Sequence, residues 1–354
     1  MVTPSPSAAG ARLTANLGLT ERVLAGPRMR KLLAVVEDGL DRVEDTLARE
    51  LRVSDALADA TTRYLYEAGG KRVRPMLTLL TAQLGEGTTE QVVTGATALE
   101  MTHLGSLYHD DVMDGADVRR GVPSAHAVWG NNVAILTGDL MFSRASQLMA
   151  QIGERAIRLQ ADTFERLVLG QMHETVGAQA GEDPVDFYLQ VLADKTGSLI
   201  AASAQAGILF SDAPSEYRRP ALEYGEKVGV AFQLLDDVID LSDDPAQTGK
   251  VPGTDLRAGV PTMPYLLLGR ASDPASRALK ATIDDGVARI ADGADPAILD
   301  EAMEQLRTHA VTEATRAKAY EWADAAIEAI DPLPAGPVRD ALVKLAHVIV
   351  DRSS

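Results

Sequence analysis

Two stretches of the chain repeat one arrangement of carboxylates: His109-Asp110-Asp111-Val112-Met113-Asp114 and Leu235-Asp236-Asp237-Val238-Ile239-Asp240, each closing an apolar segment. On a helix, residues four apart share a face, so Asp110 stands beside Asp114 and Asp236 beside Asp240. Like charges at that spacing weaken a bare helix, and the negative end of the helix dipole weakens it further. A single copy reads equally well as a solvated helix end. Two copies, both preceded by residues that look buried, need a compensating cation. Hard carboxylate oxygens suit Mg2+, which keeps several waters and completes its shell with substrate phosphates.

Basic residues stand where such phosphates could be held. Gly70-Lys71-Arg72-Val73-Arg74-Pro75 follows a glycine pair and precedes a helical pattern. Lys71 could grip a diphosphate as a mobile point charge and Arg74 as a fork. Pro75 suits the first turn of the next helix, whose free N–H groups also favour anions. Arg119-Arg120-Gly121 lies five residues beyond Asp114, in a segment too polar for a core. Lys195-Thr196-Gly197-Ser198 interrupts an apolar helical stretch, and a glycine there predicts an exposed kink facing a cavity. Gly249-Lys250 and Gly253-Thr254-Asp255-Leu256 follow the second aspartate motif in a flexible stretch suited to a closing loop. Each basic group alone also reads as ordinary polar surface.

The elements that must position these groups are helical. Leu32, Val35, Val36, Leu40, Val43 and Leu47 recur at spacings of three and four. Similar patterns predict helices over 53–68, 75–84, 88–113, 124–130, 132–151, 155–177, 184–210, 215–241, 261–269, 273–292, 296–330 and 336–351, with Gly and Pro between them. No strand alternation stands out, so the expected fold class is all-α. Residues 1–20, rich in Pro, Ser, Ala and Gly, are expected to form a mobile tail, and 21–354 one helical domain.

Of the 354 residues 46% are hydrophobic, ample for a large core, and only 4% are aromatic. No run of 18 apolar residues occurs, so no integral membrane segment is expected. The opening MVTPSPSAAG lacks the basic and apolar regions of a secretory signal. With no cysteine there is neither a disulfide framework nor a thiolate metal site, and a cytoplasmic protein is expected. The 34 basic and 51 acidic side chains leave a formal charge of −17, which repels nucleic acid over much of the surface. An anionic substrate therefore needs a local concentration of cations.

The ordered set GKRVRP, DDVMD, DVRRG, KTGS and FQLLDDVID resembles the trans-isoprenyl diphosphate synthases, over roughly residues 30–350. The resemblance implies a bundle of antiparallel helices around a deep central cavity, in a homodimer, with the two aspartate motifs facing each other across the mouth. It implies isopentenyl diphosphate held by Lys71, Arg74, His103 and Arg120. It further implies Mg2+ held by Asp110, Asp111 and Asp114 on one side and by Asp236 and Asp240 on the other. The allylic diphosphate would meet Arg119, Lys195, Thr196, Gln233 and Lys250. The six aspartates, Asp237 included, and Lys195 form the expected catalytic set. His103, seven residues before Asp110, reads in isolation as a hydrogen-bonded core histidine. Where many relatives carry Gly-Glu before a glutamine, this chain has Gly170-Gln171-Met172-His173-Glu174, and no catalytic role is assigned there.

The reaction implied is head-to-tail condensation of isopentenyl diphosphate with an allylic diphosphate. Ser106 and Gly105, four and five residues before Asp110, are small where short-chain relatives carry aromatic rings. A long product of six or more isoprene units, as in a quinone side chain, is expected. The alternative is a geranylgeranyl or farnesyl product, should a bulky residue on a neighbouring helix close the cavity. A terpene cyclase would not need GKRVRP and Arg120 for a second substrate. A non-catalytic subunit would be expected to lose aspartates from one motif, and both are complete here.

Overall fold

The computed structural model describes residues 26–242 and 253–351. The expected tail over 1–20 and Lys250 lie outside the described residues. The chain is built from helices, in order α1 (Pro27–Glu50), α2 (Ala56–Glu67), α3 (Val73–Ala82), α4 (Glu90–Met113), α5 (Ala125–Trp129), α6 (Asn131–Ile152), α7 (Glu154–Val176) and α8 (Pro184–Leu192). A π-helical turn, Ala193–Gly197, leads into α9 (Ser198–Phe210), followed by α10 (Arg218–Asp240). Then come α11 (Thr254–Arg257), α12 (Met263–Arg270), α13 (Pro274–Ala291), α14 (Asp300–Arg307), α15 (Ala310–Ala329) and α16 (Pro337–Val350).

The starts of these helices follow from local chemistry. Thr89 caps α4 by accepting from Val92 N–H, Asp55 caps α2 and Asp183 caps α8. Buried side chains from Leu32 on α1 to Val350 on α16 join one core, centred on α3, α4, α9 and α10. A smaller core beyond the second aspartate motif gathers Leu256, Leu268, Ile283, Leu299 and Leu306.

Two close helix crossings set the geometry of the site. A Cβ on Gly138 of α6 would stand 3.0 Å from the Gly105 carbonyl of α4, so two glycines let these backbones approach. A Cβ on Gly229 of α10 would lie 2.6 Å from Gly197 Cα, which seats the π-helical turn directly on α10. Fully exposed side chains are scarce among the apolar residues of the core, yet α6 and α7 leave Leu136, Leu169, Met172 and Val176 exposed.

The structure departs from the predicted elements in four places, one of them at Thr254–Arg257, where the stretch expected to be a flexible loop forms α11 and buries Leu256 in the smaller core. A short hairpin, β1 (Val118–Arg119) and β2 (Val122–Pro123), pairs antiparallel with Arg119 opposite Val122. Its two-residue turn has φ 52° at Arg120 and 77° at Gly121, the left-handed pair that a tight hairpin requires. The predicted 184–210 helix is interrupted by the π-helical turn at Lys195-Thr196-Gly197, where the sequence predicted a kink. The predicted 296–330 helix breaks at Thr308-His309, because His309 Nδ1 accepts from Val311 N–H at 3.2 Å and caps a new helix.

Candidate active site

The C-terminal end of α4 carries the first aspartate motif, and the three carboxylates go different ways. Asp110 is partly buried and Asp114 exposed, one helical turn apart on the same face. Burial pushes the Asp110 carboxyl up to about 6; Lys195 opposes that rise and Asp114 adds to it. Asp111 is turned inward, fully buried, and accepts from Arg119 Nε at 2.6 Å. Its Oδ2 is sealed from solvent with no hydrogen-bond partner. Burial raises its pKa and Arg119 counters it.

Opposite this helix end stands Lys195, half-buried on the π-helical turn and ion-paired with Glu174 of α7. Burial works against the Lys195 charge, but Glu174 and Asp110 outweigh it and hold the pKa above its ordinary value. Gly170 makes this meeting possible: a Cβ there would fall 2.6 Å from Lys195 N. Gln171, also on α7, has a buried Oε1 without a partner. Sequence reasoning left Gln171 and Glu174 without a role. The signal that could have found them is Gly-Gln-x-x-Glu, which puts both side chains on the face opened by the glycine.

The basic residues form a second cluster on the same face of α4, two turns back from Asp110. Arg74 lies in the first turn of α3, with Pro75 beside it as the third residue of that helix; Lys71 is exposed just before it. Arg119 and Arg120 come from the hairpin. Arg120 Nη1 donates to Leu65 O at 2.9 Å and to Gly69 O, so the end of α2 fixes its guanidinium. Burial, together with Arg72, Arg74 and Arg119, lowers the Arg120 pKa to about 10, while Glu100 pulls it back up. Burial and then Arg74, Arg120, Arg72 and Arg119 hold His103 well below its ordinary pKa, so it stays neutral and able to donate. These cations thus converge on one face of α4, seven residues from Asp110.

The second motif ends α10. Asp236 and Asp240 are partly buried, and Asp240 Oδ2 accepts from Asp255 N–H at 3.3 Å. Asp237 is different: it is buried, its oxygens both accept from Tyr188 Oη at 3.0 Å, and Oδ2 also accepts from Met263 N–H at 3.0 Å. Burial raises its pKa well above the usual carboxylate range, despite Met263 N–H and Tyr188. The expected catalytic aspartate at 237 is therefore placed as a latch joining α10 to α8 and α12. Thr196 and Gln233 are half-buried, on the π-helical turn and on α10.

The donor set fits Mg2+. Among the described residues no three acidic or histidine side chains converge as a preformed cage. Mg2+ instead uses one or two carboxylates with waters and substrate phosphates. Asp110 and Asp114, one helical turn apart on α4, offer such a pair.

The expected chain-length pair separates. Gly105 faces α6: a Cβ there would be 3.1 Å from the Phe142 ring, 3.2 Å from Gly138 O and 3.3 Å from Met141 Cβ. It is a residue of the α4–α6 crossing. Ser106 is 8% exposed and its hydroxyl donates to His103 O at 2.9 Å. Phe142 packs on Phe164 of α7, centroids 4.6 Å apart, and on His109 at 5.3 Å. The bulk at this level therefore comes from neighbouring helices.

A family model described as polyprenyl synthetase matches residues 55–295. The chain is 43% identical over 320 residues to nonaprenyl diphosphate synthase of Mycobacterium tuberculosis, covering 90% of this chain and 94% of that protein. The crystal structure of a decaprenyl diphosphate synthase from Rhodobacter capsulatus superposes with a TM-score of 0.80 at 33% identity, over 92% of this chain and 99% of that one. A polyprenyl synthase from Caulobacter crescentus, complexed with calcium and isoprenyl diphosphate, gives a TM-score of 0.82 at 29% identity, over 92% and 98%.

Proposed function

This chain belongs to the polyprenyl synthetase family, and from that premise we propose that it is an all-trans polyprenyl diphosphate synthase of the long-chain type. It is a prenyltransferase that condenses isopentenyl diphosphate with an allylic diphosphate. The observation that carries the reading is the pairing of two anion sites along one face of α4: Asp110 and Asp114 with Lys195 at its C-terminal end, and His103 with Arg74 and Arg120 two turns deeper.

Lys71, Arg74, His103 and Arg120 hold the isopentenyl diphosphate, with His103 donating as a neutral imidazole. Lys195, steadied by Glu174, binds the allylic diphosphate together with Thr196, Gln233 and Lys250. Arg119, held by Asp111, stands at the edge of both sites. Asp110, Asp114, Asp236 and Asp240 would hold Mg2+, which supplies positive charge against the diphosphate leaving group. Lys195 and Arg119 favour rupture of the allylic C–O bond because their charge meets the negative charge that develops on the departing oxygen. The isopentenyl double bond attacks the allylic carbon, forming the new C–C bond. The departed diphosphate then takes the proton, restoring a double bond. Apolar side chains around the site keep water from the allylic cation.

A product of six or more isoprene units agrees with the nonaprenyl and decaprenyl relatives. The Phe142–Phe164 pair favours a second reading, a geranylgeranyl-length product, if those rings lie across the path of the tail. One catalytic domain over 21–354 is supported by a single main core running from Leu32 to Val350. A homodimer is supported by the apolar side chains exposed on α6 and α7. No described helix is long and apolar enough to cross a membrane. A cytoplasmic setting is part of the proposal because polyanionic substrates do not cross a bilayer unaided. The test is release of inorganic diphosphate by the purified protein. Release should require Mg2+ and both substrates together; release from the allylic substrate alone at the same rate would point to a cyclase.

A further inference from the structure

One buried carboxylate beside the basic cluster has no part in the reaction as described. Glu100, on α4 three residues before His103, is 2% exposed. Its Oε1 accepts from Arg72 Nη1 at 3.3 Å, while its Oε2 is sealed from solvent without a hydrogen-bond partner. Its charge favours the cationic forms of Arg72, Arg74 and Arg120 against the burial that opposes them.

Arg72 is fixed on every side. Glu44 accepts from its Nε and, at 3.4 Å, from Nη2; Gly69 O takes Nη1 at 3.5 Å; the Tyr66 ring centroid lies 5.3 Å from the guanidinium carbon. With its side chain 4% exposed, Arg72 has no surface to offer a substrate. It does press on residues that have. A Cβ on Gly70 would fall 2.6 Å from Arg72 Nη1 and 3.0 Å from Arg120 Nη2, so the two guanidiniums share one recess. Arg72 also holds left-handed backbone, φ 49°. Such strain persists only where the surroundings over-determine it, and it concentrates at functional sites.

We propose that Glu100, acting through Arg72, is the positioning residue that keeps Arg74 and Arg120 converged on the isopentenyl diphosphate subsite. The proposal rests on the assignment of that subsite above. Guanidiniums gathered in one recess repel each other when no anion is bound. A carboxylate placed beneath them offsets that repulsion and leaves the outward N–H groups to the substrate. Arg74 Nε is buried without a hydrogen-bond partner, a donor that nothing among the described residues uses.

Glu100→Gln in the full chain keeps the shape and removes the charge. The KM for isopentenyl diphosphate should rise roughly ten- to a hundredfold, the loss of a charge-assisted contact. The allylic KM and kcat at saturation should stay within about threefold of wild type. Glu100→Asp should recover part of the loss, and Glu44→Gln, at the more open edge of the network, should raise the same KM less. A fall in the isopentenyl KM of Glu100→Gln would show that the carboxylate merely opposes the diphosphate, and would overturn the proposal. Equal rises in both KM values, or a lower melting temperature with neither KM changed, would make Glu100 only structural. If Glu100→Gln does not fold, an unchanged isopentenyl KM in Glu44→Gln overturns it instead. Calorimetric binding of isopentenyl diphosphate alone separates the two levels. No binding by wild type sinks the subsite assignment, whereas equal binding by wild type and Glu100→Gln sinks only the role of Glu100.

Discussion

The second aspartate motif divides its labour, and replacing its members one at a time should expose the division. In Asp237→Ala, Tyr188 Oη and Met263 N–H both lose their buried acceptor. Each stranded donor costs about 1–3 kcal/mol, so the substitution should destabilise the fold by about 2–6 kcal/mol. At about 2.1 cal/mol/K per residue, a chain of 354 residues unfolds with about 0.7 kcal/mol/K of entropy. The melting temperature should therefore fall by about 3–8 °C in the metal-free protein. Tyr188→Phe removes only the hydroxyl and should cost about 1–2 kcal/mol, or about 1–3 °C. Asp236→Ala, which relieves like charge at a helix end, should hold or raise the melting temperature while abolishing turnover. Differential scanning calorimetry without Mg2+ reads all three. If Asp237→Ala melts with wild type while Asp236→Ala falls sharply, the latch has been placed on the wrong aspartate.

Other substitutions probe the rest of the site. Lys71→Ala and Arg74→Ala should raise the KM for isopentenyl diphosphate roughly ten- to a hundredfold and leave the allylic KM nearly unchanged, and Lys195→Ala should do the reverse; steady-state kinetics with each substrate varied would show equal effects if the two-site assignment were wrong. His103 has its pKa depressed well below 6.5 by burial and by the arginines around it. The unfolded chain therefore takes up a proton that the folded one refuses. This part of the stability is complete above about pH 6.5 and is lost as pH falls below it, at up to about 1.4 kcal/mol per pH unit. Compared with His103→Gln, wild type should lose more stability on acidification, and parallel melting curves from pH 7 to 5 would contradict this. Ser106→Phe should shorten the product to three or four isoprene units while the first condensation stays within about tenfold of wild type. Wild-type product length from the soluble variant would mean that the tail descends elsewhere.

The helices were legible because apolar residues recur at helical spacing, and several starts carry a capping Thr or Asp or an early Pro. Both aspartate motifs were legible because two identical arrangements in one chain are hard to explain as surface. What periodicity could not reveal was the direction of each side chain at a helix end. Asp111 and Asp237 look like their neighbours in sequence, yet the structure turns them inward onto Arg119 and Tyr188. In the sequence Gly105 shows only as a small residue where short-chain relatives carry aromatic rings. Its space is filled by α6, brought close by Gly138, a contact between helices that one-dimensional spacing does not encode. Glu174, quoted without a role, and Glu100 are not legible for a related reason. A glutamate within a helix reads as surface until its cationic partners arrive from other segments, Lys195 for the one and Arg72 for the other.

The central claim is that two diphosphates are bound side by side and joined into a growing chain. The most direct test is chromatography of the products made by the purified protein from labelled isopentenyl diphosphate and an allylic primer, with and without Mg2+. Linear all-trans polyprenyl diphosphates of six or more isoprene units, formed only when Mg2+ and both substrates are present, are the predicted result. Label recovered wholly as unreacted isopentenyl diphosphate, across primers of different length, would contradict it.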